Sequence, residues 1–208
     1  MRILRIGILP ALSALVLLSA IGRAQPAAVP EPATRGQEGG GHPLLHAAFT
    51  NELGQTVRLN DFKGQALAIT FFFTRCPIPQ YCPRLSKNFE EASRKLLALP
   101  AAPTNWHFLS VTFDPDFDSP AVLKAYSERY PHDPAHWSFL TGAPGQIREL
   151  ASLSDVQFDR DGPLFNHNFR TLVIDARGRL QMSFPVGGDL SQALVEQVLK
   201  AAAGTKEE

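Results

Sequence analysis

The chain has 208 residues, 20 basic and 20 acidic side chains, and two cysteines. A hydrophobic content of 44% with 19% charged residues excludes wholesale disorder. Zero formal charge and the lack of a basic stripe argue against nucleic-acid binding. Two cysteines cannot build a disulfide scaffold or a four-cysteine zinc site, but they can make one disulfide, one dithiol or part of a metal site.

Arg2 and Arg5 precede an apolar run over residues 6–21, and small residues follow at Gly22 and Ala24. That is the layout of an export signal, read here as a signal peptide or signal anchor over residues 1–24 with a cleavage site after Ala24. The run contains Pro10 and is short for a membrane span, which needs about 20 residues. Cleavage removes Arg2, Arg5 and Arg23 and no acid, leaving 17 basic against 20 acidic side chains and a charge of −3. The predicted location is periplasmic, soluble or tethered to the inner membrane by residues 6–21. An oxidising compartment of that kind makes a disulfide the default for an exposed cysteine pair. Residues 25–41 are rich in Pro, Ala and Gly and read as a flexible linker, spanning roughly 20–25 Å as a coil. The folded unit is expected over residues 42–203, with a tail over 204–208.

Within that unit, residues 49–50 and 57–59 read as a hairpin turning near Gly54. Residues 67–73 form a continuous apolar run, as in a strand buried on both faces. The loop Cys76-Pro-Ile-Pro-Gln-Tyr-Cys82-Pro83 follows, kept from helix by its internal prolines. A helix is predicted over about 83–99, with Leu85, Phe89, Ala92 and Leu96 on one face. A strand over 106–113 leads to Asp114-Pro115, and Ser119 with Pro120 opens a helix to residue 130. Then come a strand at 137–140, a helix at 143–153 and a short β segment at 156–158. Residues 169–175 and 180–184 make a hairpin, and Asp189 caps a last helix ended by Gly204. The order predicts an α/β domain with a mixed sheet.

The cysteine loop is the strongest chemical signal. It lies between a buried strand and a helix, at the sheet edge where ligands of open α/β folds bind. Cys82 stands at the helix start, where the positive dipole end favours a thiolate. Two soft sulfurs suit Cu(I) or zinc; the bland alternative is a structural disulfide. His167 precedes a predicted strand, while His42, His46, His107, His132 and His136 read as surface or hydrogen-bonded side chains. Spacing alone does not bring His167 to the cysteines. Asp114, Asp116 and Asp118 alternate like the start of a calcium loop but lack the later Gly and Glu, so a solvated loop is expected.

Several spaced motifs together resemble the Sco/SenC family: Thr74-Arg-Cys76-Pro, Cys82-Pro83, Ser110-Val-Thr-Phe-Asp114-Pro, Asp118-Ser-Pro120, Phe139-Leu-Thr141-Gly142, and His167 followed by a strand and Asp175-x-x-Gly178. The resemblance implies a thioredoxin-like fold with mixed sheet and flanking helices. It implies a metallochaperone that binds copper through Cys76, Cys82 and His167 and assists assembly of the binuclear copper site of cytochrome c oxidase. Its partners would be the copper-containing oxidase subunit and a thiol reductant or copper donor, with membrane contact through the N-terminal run alone. The alternative is an exported thiol–disulfide oxidoreductase using Cys76 and Cys82 as its redox pair. The family's usual pair has three residues between the cysteines, whereas this chain has five, residues 77–81. That departure gives weight to redox chemistry.

Overall fold

The computed structural model describes residues 43–184 and 188–204. The predicted signal over residues 1–24, the linker over 25–41, residue 42, and residues 185–187 and 205–208 lie outside them.

The main sheet is built around two seven-residue strands. β3 (Ala66–Phe72) and β4 (Trp106–Thr112) have every residue buried. They pair in parallel with Ala66 opposite Trp106 and Phe72 opposite Thr112. β5 (Trp137–Thr141) continues the parallel set beyond β4. On that side β1 (Phe49–Asn51) and β2 (Thr56–Val57) close the edge as an antiparallel hairpin. On the other, β8 (Thr171–Ile174) and β9 (Leu180–Phe184) add antiparallel to β3. The order is β2-β1-β5-β4-β3-β8-β9, a mixed sheet as expected.

Alternate residues of a strand face opposite sides, and each side has its own cover. On one, α1 (Cys82–Ala98) sets Phe89 against Phe108 and Trp137, with ring centroids at 4.7 and 5.7 Å. The four apolar residues predicted to share a helical face, Leu85, Phe89, Ala92 and Leu96, are all buried. Burial of one such side chain stabilises by about 1.5–3 kcal/mol. α2 (Pro120–Ser127) places Tyr126 on Phe72 at 5.1 Å, on the same side. α4 (Ser191–Ala203) packs against α1, β3 and β8. On the opposite side, Leu67 and Ile69 of β3 share a cavity of about 760 Å³ with Leu150 of α3 (Pro144–Leu153) and with the helical turn Leu59–Phe62.

Three local expectations are corrected. The second helix stops at Ser127 rather than 130, where the Ser127 hydroxyl donates to the Lys124 carbonyl at 2.9 Å. That back-bond competes with continued helix. The segment after α3 is a separate two-stranded antiparallel sheet, β6 (Phe158–Asp161) with β7 (Leu164–His167), instead of a short strand and a loop. The first strand of the later hairpin begins at Thr171, two residues beyond the expected start. Asp189 does act at the start of α4: its Oδ1 accepts the Ser191 amide at 2.8 Å.

Candidate metal and thiol site

The loops leaving β3 and β4 emerge side by side because the two strands run parallel. The first carries the cysteines, and the second pins it. The Thr74 amide donates to Asp118 Oδ2 at 3.1 Å, and the Thr74 hydroxyl donates to Asp118 Oδ1. Asp118 Oδ2 also accepts the Thr112 hydroxyl. Arg75 Nη2 donates to Asp114 Oδ2 at 2.6 Å, while its guanidinium lies 3.9 Å from the Phe117 ring centre. Asp114 and Asp118 are both fully buried. The expectation of a solvated acidic loop is therefore wrong for these two: they are the anchors of the cysteine loop. Burial raises the Asp118 pKa, opposed by the hydrogen bonds from Thr112 and Thr74.

Past Arg75 the chain turns, with the Cys76 amide donating to the Phe73 carbonyl at 3.3 Å and the Tyr81 amide to the Ile78 carbonyl at 3.0 Å. α1 starts at Cys82, and Pro83 occupies its first turn, where a missing N–H costs nothing. Both cysteines are free thiols; Cys82 is buried and Cys76 partly exposed. Their side chains influence each other's ionisation across the five intervening residues, and Cys76 Sγ lies 3.9 Å from the Ile78 carbonyl oxygen. The interaction with Cys82 lowers Cys76 to about 6, although burial works against it. Cys82 is pushed up, first by that same interaction and then by burial. The helix-start argument favoured Cys82 as the thiolate; its burial works against that. A helix end stabilises a thiolate by a modest amount, whereas full desolvation beside a second sulfur penalises the charged form more. The negative charge is favoured on Cys76 and disfavoured on buried Cys82.

His167 is the last residue of β7 and pairs with Phe158 of β6. Its ring sits 4.6 Å from Phe113 and 4.1 Å from Phe169, centre to centre. Phe169 in turn meets Tyr81, the residue before Cys82, at 4.9 Å. An aromatic chain thus joins the histidine to the cysteine loop at the same end of the sheet. Burial lowers the His167 pKa, with the Asn168 carbonyl opposing it, so the ring is neutral at pH 7. His167 Nδ1 lies 3.0 Å from that carbonyl, which can only accept. Nδ1 therefore carries the proton, and Nε2 keeps its lone pair for a ligand. Cys76 and Cys82 are coupled, and His167 stands beyond Phe169. Among the described residues, no three His, Cys, Asp or Glu side chains stand close enough to hold a metal ion together.

Three other histidines have ordinary partners, as expected. His107 Nδ1 donates to the Ala135 carbonyl at 3.1 Å and Nε2 accepts from the Ser138 hydroxyl at 2.9 Å. His132 Nδ1 donates to the Tyr130 carbonyl, and His136 Nδ1 to the Trp106 carbonyl. His46 lines the large cavity, and His42 lies outside the described residues.

Sequence reasoning missed the hairpin that carries His167 and the anchoring by Asp114, Asp118 and Arg160. Gly162-Pro163 was a usable signal for the hairpin, since glycine at the first position of a two-residue loop supplies the positive φ, here +59°. The anchors had no local signal, because their partners come from distant parts of the chain.

The SCO1/SenC family model matches residues 44–203. A SCO1 protein homolog of Bacillus subtilis is 32% identical over 104 residues, which is 50% of this chain and 51% of that protein. The chain thus matches about half the length of this curated relative. The structure of ScoI from Bradyrhizobium japonicum with copper bound superposes with a TM-score of 0.62 at 23% identity, covering 74% of this chain and 96% of that one. BsSco, described as a member of the Sco family of cytochrome c oxidase assembly proteins with a disulfide switch, gives 0.63 at 25% identity, covering 75% and 91%. These likenesses bear out the thioredoxin-like fold, and with the family match running through the folded unit from the first helical turn to the end of α4, the chain belongs to the SCO1/SenC family.

Proposed function

We propose that the chain is a metallochaperone that takes copper as cargo on Cys76, Cys82 and His167 and passes it by ligand exchange to the binuclear copper site of cytochrome c oxidase. The observation that carries this reading is the donor set at one end of the sheet. It comprises two coupled free cysteines, with an imidazole whose free Nε2 belongs to the next aromatic layer. Two soft sulfurs and one imidazole suit copper, especially Cu(I). Binding through both sulfurs needs both as thiolates, and buried Cys82 is the harder of the two to deprotonate. The relatives described as copper-bound and as oxidase assembly proteins support the same cargo and destination. The chain would act after export, with the run at residues 6–21 as signal or tether; among the described residues no helix is long and apolar enough to cross a membrane.

The test is Cu(I) competition against a chelator with the reduced chain. Stoichiometric binding is expected, falling sharply in Cys76→Ser/Cys82→Ser. Undiminished binding by that double variant contradicts the reading.

A second reading rests on the unequal acidity of the pair. A partly exposed cysteine of lowered pKa coupled to a buried one is the arrangement for thiol–disulfide exchange. Cys76 would attack a disulfide of the oxidase's copper subunit and displace one target thiolate. Cys82 would then resolve the mixed disulfide, leaving an intramolecular disulfide and a fully reduced target. A separate thiol reductant must restore the pair. A reduction potential below about −300 mV, the range of inert structural disulfides, would count against catalytic turnover.

A further inference from the structure

β6 and β7 hydrogen-bond to each other as a sheet of two strands, apart from the seven-stranded sheet. A lone hairpin of this size is marginal in water, so its place depends on what fastens it to the domain. One fastening is aromatic. Phe158 stacks on Phe113 with centroids at 5.1 Å, and Phe165 meets Phe113 at 5.0 Å and Phe73 at 5.2 Å. The other is ionic. Arg160 of β6 donates from Nη2 to Asp114 Oδ1 at 2.7 Å, and its guanidinium lies 4.7 Å from the Phe165 ring centre.

The second oxygen of the same carboxylate is held by Arg75, the neighbour of Cys76. One buried carboxylate therefore ties the cysteine loop to the strand that faces His167. Arg75 alone would compensate the buried Asp114 charge, and the other acid near Arg160, Asp116 at 3.8 Å, is mostly exposed and gains little from pairing. The second arginine comes from the hairpin, two residues from Phe158, and Phe158 is the residue paired with His167.

We propose that Arg160 is a positioning residue for metal capture. Through Asp114 and Arg75 it sets the reach from His167 Nε2 to the Cys76–Cys82 pair. This inference rests on the copper reading above. Arg160 touches no ligand atom; it acts by holding the hairpin in register with the loop. Its contact with Asp114 is made through one nitrogen, so a lysine can replace it in part, whereas glutamine cannot supply the charge.

The test compares the wild-type chain with Arg160→Gln and Arg160→Lys, all loaded with copper ions. Three quantities are read: Cu(I) affinity by chelator competition, nitrogen coupling in the Cu(II) electron paramagnetic resonance spectrum, and the thermal midpoint. Arg160→Gln is expected to lose about tenfold in affinity, the lower end of what outer partners of metal ligands contribute. It should also lose the imidazole nitrogen coupling while keeping its thermal midpoint, and Arg160→Lys should recover most of both. Wild-type affinity and nitrogen coupling in Arg160→Gln overturn the positioning role and leave the copper reading standing. A loss that follows unfolding equally in both variants overturns it as well. A wild-type chain that binds no copper overturns the copper reading itself, and the positioning role with it.

Discussion

Partly exposed Cys76 and buried Cys82 are coupled, and the coupling lowers the pKa of the first and raises that of the second. The more exposed sulfur is the one whose thiolate the pair favours, with Cys82 as the main cause. Replacing Cys82 by alanine removes that cause and returns Cys76 toward the ordinary thiol value of about 8.5. Iodoacetamide alkylation of Cys76 followed against pH should show a midpoint near 6 in the wild type. In Cys82→Ala the midpoint should move upward and the rate at pH 7 fall roughly tenfold. An unchanged midpoint in Cys82→Ala would refute the pairing.

Asp118 fixes the start of the cysteine loop through donors from Thr74 and Thr112. Asp118→Ala leaves those donors unpaired beside a cavity and should cost about 2–4 kcal/mol in urea denaturation. Asp118→Asn keeps an acceptor and should cost less. The folded pKa of Asp118 is raised by burial, so this carboxylate is not a source of acid lability. A loss near zero in Asp118→Ala would show that the loop is held elsewhere.

His107 supplies a pH dependence away from the site. Burial lowers its pKa to about 4, with the Ala135 carbonyl opposing. The unfolded chain, with a histidine near 6.5, takes up the proton first as pH falls. The stability it confers is therefore complete above about pH 6.5 and is lost as pH drops toward 4, on the order of 2–3 kcal/mol. Denaturation midpoints across that window should fall in the wild type and flatten in His107→Gln. A wild type and variant with parallel acid limbs would contradict the assignment.

The elements legible in the sequence were those whose pattern is local. Residues of β3 and β4 form unbroken apolar runs, and the buried face of α1 repeats at helical spacing. The cysteine loop announced itself by its prolines and its place between strand and helix. What stayed hidden was relational. Asp114 looked like a solvent-facing acid because its arginine partners are 39 and 46 positions away. The β6–β7 hairpin was obscured because Phe158-Asp-Arg-Asp161 is short and mostly exposed, and its apolar contacts lie on Phe113, just past the end of β4. The Cys82 thiolate argument was incomplete for a related reason: a helix end seen in sequence carries no statement of its burial.

The most direct test of the account is X-ray absorption on the copper-loaded, reduced chain, comparing wild type with His167→Ala. The account predicts two sulfur ligands and one nitrogen ligand in the wild type, with the nitrogen lost and both sulfurs kept in the variant. An identical ligand shell in the two proteins, or a shell without sulfur, would contradict it.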